Sequence, residues 1–419
     1  MEHENEDELM CRARRAVEVL CVILLAVVCG FARAQGNGVD SLGDAVALVG
    51  RHSHAIVLSN KHGAAIAVWP AMSGRVLTSS VDGPQGHGFG WVNRELIASG
   101  KVAPHMNAVG GEDRLWLGPE GGQYGIFFAP GAPFDLEHWF TPAAFDTEAF
   151  DVVGQTGESI TFRKAFHVTN YSGTKFEVQV DRQVRLLPDE LVWQRLGVAP
   201  VAGLQVVGFE SDNKLTNLAD RTWDTSTGVL SLWVLGQFIA APAATIILPL
   251  RNGPAAELGP ALKTDYFGPV PADRITVGDS AAFFKADAKY RSKLGLSPRR
   301  SKGKLGSYDP EHHVLTIVQY DEGAPGADYV NSAWEIQKSP YKGDVANCYN
   351  DGSLGPSKAG LGAFYEMESS SPAVALGSHS SVSHMQRTIH LVGSEEKLDA
   401  IAVLVLGVHL KDVLAFNHP

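Results

Sequence analysis

Two arms of alternating side chains face each other across a short turn near residue 170, and they constrain the fold class more than any other feature. Ile160, Phe162, Phe166 and Val168 alternate with Thr161, Arg163, His167 and Thr169. Phe176, Val178 and Val180 alternate with Glu177, Gln179 and Asp181. A period of two sends apolar groups to one face and polar groups to the other, as in a half-buried strand. Asn170-Tyr171-Ser172-Gly173 supplies the turn, so the segment predicts an antiparallel hairpin. Apolar runs at 64–69, 230–235, 245–250, 314–320 and 388–392 read as further strands. Helical signals are few. Ser394 is placed to cap a helix with Glu395 and Glu396 in its first turn, continuing through Leu398 and Ile401, and a short helix is expected over 410–416. No solenoid or propeller repeat and no Pro/Ser-rich linker divides the chain. The expectation is an all-β protein with a few short helices, mainly C-terminal.

The N-terminus reads as an export leader. Arg12, Arg14 and Arg15 precede an apolar run over 19–28 that is too short to span a bilayer comfortably, and Ala32-Arg33-Ala34 forms an A-x-A cleavage site. The acidic stretch before Met10 does not suit such a leader, which makes Met10 the expected start. The expected organisation is a signal peptide over 1–34 and one domain over 35–419, located in the periplasm or secreted. No later segment is long and apolar enough to cross a membrane as a helix. Cys348 alone remains after the leader, so neither an internal disulfide nor a cysteine zinc site is expected. A net charge of −11 argues against general nucleic-acid binding. Lys285, Lys289, Arg291, Lys293, Arg299, Arg300, Lys302 and Lys304 make one stretch locally basic; it reads as a solvated face, with attraction of an anionic saccharide as the other reading.

Four segments could carry chemistry. Residues 105–122, HMNAVGGEDRLWLGPEGG, gather His105, Glu112, Asp113, Arg114, Trp116 and Glu120 among glycines. Carboxylates and Arg bond sugar hydroxyls, and an aromatic face covers the apolar side of a ring. The same run also reads as a Gly-rich turn held by an acid–Arg pair. Glu366 and Glu368 lie two apart, which on a strand gives both carboxylates one face; two acids so close favour a raised pKa, as suits a general acid or base. Glu137-His138-Trp139 offers a polar pair beside a stacking ring, or a buried core Trp. Asp344, Asn347, Asn350 and Asp351 are oxygen donors read as a loop. They suit calcium or sugar hydroxyls, or bonds to their own backbone. No cofactor is required by any motif.

The chain resembles the galactose-mutarotase-like superfamily, which includes the aldose epimerases. The resemblance rests on Glu366-Met367-Glu368, Pro372, Leu376-Gly377-Ser378 and Arg387-Thr388-Ile389-His390 late in the chain. Early in the chain it rests on Val68-Trp69-Pro70, Ser73-Gly74-Arg75-Val76, Asn93 and Arg114. It implies a β-supersandwich, an exported bacterial branch, and a carbohydrate bound on the concave face of the larger sheet. Glu366 falls at the family's catalytic base and Arg114 at a sugar-binding position. The family's general-acid His is replaced here by Tyr171, and the segment before Pro372 is one residue longer.

What the resemblance implies is acid–base chemistry at the anomeric centre, with Glu366 as base and His105 or His138 as acid. Glu112, Asp113, Arg114, Trp116, Glu120, Trp139, Glu368 and His384 are the expected substrate-binding residues, and no metal ligand is assigned. A non-catalytic saccharide-binding protein and a polysaccharide lyase or hydrolase are the alternatives.

Overall fold

Strands carry most of the architecture in the computed structural model, which describes residues 41–353 and 359–417. The leader and its cleavage site lie outside these residues. In chain order the strands are β1 (Ile56–Ser59), β2 (Ala65–Trp69), β3 (Arg75–Ser80), β4 (Arg114–Gly118), β5 (Asp151–Gln155), β6 (Ser159–Thr169), β7 (Lys175–Leu186), β8 (Gln205–Asn217) and β9 (Ser231–Ile239). They continue as β10 (Thr245–Pro249), β11 (Ile275–Val277), β12 (Ala281–Lys285), β13 (Ser292–Leu296), β14 (Lys304–Asp309), β15 (Val314–Tyr320), β16 (Ala346–Asn350), β17 (Phe364–Ser370) and β18 (Ser381–Val392). They form a ten-stranded sheet, β11-β12-β10-β14-β15-β18-β8-β7-β6-β5, a five-stranded sheet, β13-β16-β17-β9-β4, and a small sheet of β1-β2-β3. The fold is all-β and antiparallel, with few short helices.

The expected hairpin is β6–β7, in register from Ser159↔Arg185 to Thr169↔Lys175. Its apolar face, including Ile160, Phe162, Phe176, Val178 and Val180, is buried against Leu115, Leu117, Leu232 and Val234 of the five-stranded sheet. At the other end, Ile246, Leu248, Phe284 and Val318 of the larger sheet meet Leu294, Leu296, Cys348 and Met367 of the smaller. Each such side chain contributes roughly 1.5–3 kcal/mol on burial, so shared apolar faces hold the two sheets together as a sandwich.

Polar links cross the same interface. Ser369 Oγ on β17 donates to Gln386 Oε1 at 2.6 Å and receives His384 Nε2–H at 2.8 Å. Arg182 of β7 is ion-paired with Asp113, which also accepts from Ser211 Oγ at 2.8 Å.

On the far side of the larger sheet, Leu398, Ile401, Val405 and Leu406 cover Leu315, Ile317 and Ile389. They belong to the helix Glu395–Ile401 and the π-helical turn that follows it. Ser394 stands at the N-cap position, but its side chain makes no capping hydrogen bond. The second expected helix spans Leu410–Asn417. Helices at Leu42–Val49, Arg94–Ser99, Asp189–Leu196 and Ala255–Leu258 carry no strong sequence signal.

Two expectations are corrected. Residues 346–350 are strand β16 rather than loop, because Cys348 needs the core and its neighbours must then alternate. The basic stretch is not uniformly a solvated face. Arg300 is buried and donates to the carbonyls of Arg251, Gly253 and Gly259, while Lys293 turns onto the outward face of the smaller sheet.

Candidate functional site

Strand parity decides which candidates meet. On β17 the residues Tyr365, Met367 and Ser369 face the larger sheet, so Glu366 and Glu368 face outward. Register places Glu366 between Tyr349 and Gln237, and Glu368 between Asn347 and Leu235. Lys293 lies opposite Tyr349, and Arg114 opposite Leu235. The outward face of the five-stranded sheet therefore presents Arg114, Gln237, Lys293, Tyr349, Glu366 and Glu368 side by side, with Trp116 and Trp233 paired next to them.

The charges on this face are buried and paired. Arg114 Nη2 donates to Glu366 Oε1 at 2.6 Å, with both side chains under 10% exposed. The guanidinium rests over the Trp116 ring, 4.3 Å from its centroid. Lys293 Nζ donates to Glu368 Oε2 at 3.0 Å and lies 4.9 Å from the Trp233 ring, whose Nε1 donates to the same oxygen at 2.9 Å. Burial raises the Glu366 carboxyl from 4.5 to about 7; neighbouring Glu368 adds to this, against the opposing pull of Arg114 and Lys293. Burial works to lower the Lys293 pKa, but Glu368, Glu120 and Glu366 outweigh it and hold the ammonium charged. Arg114 Nε, Trp116 Nε1, Gln237 Oε1 and Glu368 Oε1 are buried with no protein partner. Such atoms are costly to leave unmet, and four on one sheet face mark a place where a polar ligand or water would be held.

A cavity of about 280 Å³ opens above this face. Its walls include His105, Glu120, Trp139 and Trp334, with Tyr349 of β16 and Asp351 just beyond that strand. Glu366 does not line the cavity itself but is one cross-strand step from Tyr349, which does. The Trp139 and Trp334 rings are stacked 6.0 Å apart, and Trp139 Nε1 donates to Glu120 Oε1 at 2.9 Å. Burial raises the Glu120 carboxyl. Tyr349 Oη donates to Asp351 Oδ1 at 2.7 Å, and burial raises the Asp351 carboxyl as well. His105 Nδ1–H donates to the Trp139 carbonyl at 2.8 Å. A carbonyl only accepts, so in the neutral ring Nε2 carries the lone pair.

Residues 40–417 match the family described as "Family of unknown function (DUF6786)". The chain belongs to that family. No curated protein matches it. Similar solved structures include the Slr1438 protein from Synechocystis sp. PCC 6803, 12% identical with a TM-score of 0.47 over 81% of this chain and 96% of that one. A galactose mutarotase-like protein from Lactobacillus casei ATCC 334 is 14% identical, with a TM-score of 0.45 over 80% and 99%. A galactose mutarotase related enzyme from Lactobacillus acidophilus is 11% identical, with a TM-score of 0.42 over 81% and 97%. The whole cluster around Glu366 lies within the span matched by the family.

Of the residues expected from sequence, the structure brings Glu366, Glu368, Arg114, Trp116, Glu120, Trp139 and His105 to this region. It sends the others elsewhere. Glu112 is fully buried, bonded to Ser79 and to His390 Nε2 at 2.8 Å. Asp113 faces inward to Arg182, the opposite parity to Arg114. His384 sits between the sheets, where burial pushes its pKa down to about 3. His138 is on an exposed loop, bonded to Asp135 at 2.7 Å. Gly110 and Gly111 do adopt positive φ, but for their own backbone: a Cβ on Gly110 would meet the Trp91 carbonyl at 2.0 Å.

The cluster also sits on the smaller sheet, not the larger. The reason is that β17 pairs with β9 and β16 rather than with β18. Tyr171, at the position of the family's general-acid His, donates its Oη to the Ala132 carbonyl at 3.1 Å.

Sequence reasoning missed Lys293, Gln237, Tyr349 and Trp334. The signal for Tyr349 was the alternation Asn347, Tyr349, Asp351 around buried Cys348. Among the described residues no group of three or more His, Cys, Asp or Glu is placed to hold a metal ion.

Proposed function

We propose that this protein binds a carbohydrate ring over the outward face of the five-stranded sheet and exchanges protons with its anomeric centre. The observation that carries the reading is Glu366, a carboxylate held near neutral pKa by burial, pinned by Arg114 and paired across strands with Tyr349, which lines a cavity walled by Trp139 and Trp334. The indole faces suit the apolar side of a sugar ring, and the unpartnered Glu368 Oε1, Gln237 Oε1 and Arg114 Nε suit its hydroxyls.

In the proposed step, ionised Glu366 takes the proton from the anomeric hydroxyl. The bond between the anomeric carbon and the ring oxygen breaks, leaving an aldehyde. His105, in its protonated form, delivers a proton from Nε2 to the ring oxygen. Rotation and the reverse transfers close the other anomer, and both residues end as they began. A second reading, binding without turnover, is favoured by one observation: Tyr171 spends its hydroxyl on a backbone carbonyl. The leader motif supports export, and with it a mature chain beginning at Gln35.

The test uses protein recovered from the periplasm of a bacterial host. Intact mass is expected to place the N-terminus at Gln35, and a retained leader would remove the export part of the reading. Polarimetry then follows anomer exchange across a panel of freshly dissolved aldoses. Glu366→Gln is expected to lose at least about a hundredfold in rate with the fold intact. Full activity in that variant contradicts the catalytic reading, while sugar binding without any wild-type exchange leaves the binding reading alone.

A further inference from the structure

Resting on the carbohydrate reading, we propose that the site takes a neutral oligosaccharide whose further units run past the β13 edge of the sheet. The ring cavity is the first of four hollows that share walls. It shares Glu120 and Trp334 with a second of about 220 Å³. That one shares Lys263 and Asp265 with a third of about 530 Å³, which shares Ser297 and Lys342 with a fourth of about 600 Å³. The course is set by the fold. The segment carrying Lys263 bridges to Gly295 on β13, and Ser297 directly follows that strand. A single ring occupies only the first hollow and leaves the larger ones beyond it unused.

The lining fits a chain of sugars. Trp139 and Trp334 wall the first hollow, Tyr266 and Phe267 the second, and Tyr341 the fourth, so aromatic faces recur along the path. Ser297 Oγ is buried without a partner where the third and fourth hollows meet. The charges point to a neutral polymer. Lys293 is paired with Glu368, Arg251 with Glu322 at 2.8 Å, and Lys342 with Asp328 at 2.6 Å. The charge of these three is already met, Lys263 and Arg291 lie over the Tyr266 and Phe267 rings, and Glu120, Asp265 and Glu335 line the second hollow beside Lys263 and Lys293. A chain of uronic acids would meet the three carboxylates of the second hollow at a cost.

The experiment is a glycan array carrying neutral and uronic-acid oligosaccharides of one to six units, followed by calorimetry on the series that bind. Neutral oligomers are expected to gain about tenfold or more in affinity between one and four units. Thr264→Trp, which fills the third hollow, is expected to abolish the gain beyond two units while leaving single-ring affinity within about twofold. Phe267→Ala, at an exposed ring, is the second variant and is expected to reduce the same gain. Affinity that does not change with length, or tighter binding of uronic oligomers, overturns this inference and leaves the ring-binding reading standing. Binding to no saccharide on the array overturns both.

Discussion

Glu366 shows how one side chain acquires chemistry from its surroundings. Its strand parity turns it away from the core, yet the loops carrying His105, Trp139 and Trp334 cover that face and remove water. Burial and Glu368 disfavour its charge, Arg114 favours it, and the balance leaves the carboxyl at about 7. Between roughly pH 4.5 and 7 the folded protein therefore holds a proton that the unfolded chain has released, so this group makes stability fall as pH rises through that window. Glu366→Gln has no such titration. Melting curves of the two proteins are expected to converge on going from pH 7 down to 4.5, with the wild type losing up to about 3 kcal/mol relative to the variant on the way back up. Curves that stay parallel across that range would contradict the raised pKa.

At the scale of elements, alternation was legible and neighbourhood was not. The β6–β7 hairpin and the outward pair on β17 could be read from period two, and β15 from its apolar run, because burial writes itself into the local sequence. The partners of β17 could not be read: β9 lies well over a hundred residues earlier in the chain, and nothing local records that pairing. The same gap explains Glu112 and Asp113. Their residue types suited a sugar site, but one step of parity separates Asp113 from Arg114 and sends it to the inter-sheet seam. There it ties β7 and β8 of the larger sheet to the start of β4 in the smaller. Arg182→Met leaves the Asp113 carboxylate buried and unpaired, and is expected to cost about 3–5 kcal/mol in urea unfolding. Removing both with Asp113→Ala added is expected to cost less than the single change. Equal losses would show that the pair does not carry the seam. Lys293 was hidden in the same way, since a lysine in a basic stretch looks solvated until its strand is placed beside β16.

As a whole molecule, the sandwich divides its labour between two faces of one small sheet. The inward face joins the larger sheet through apolar packing and a few polar ties, and that core fixes the register of all five strands. The outward face is then free to carry ionised and unpartnered groups at a cost the core can bear, and the rigid floor holds Arg114, Lys293, Glu366 and Glu368 in place under loops that supply the aromatic walls. The decisive measurement is a crystal structure of the protein soaked with a sugar selected by the array. The expected result is a ring stacked against Trp139 or Trp334 with its anomeric hydroxyl directed to Glu366. A sugar bound elsewhere, with the space above the five-stranded sheet holding only water, would contradict it.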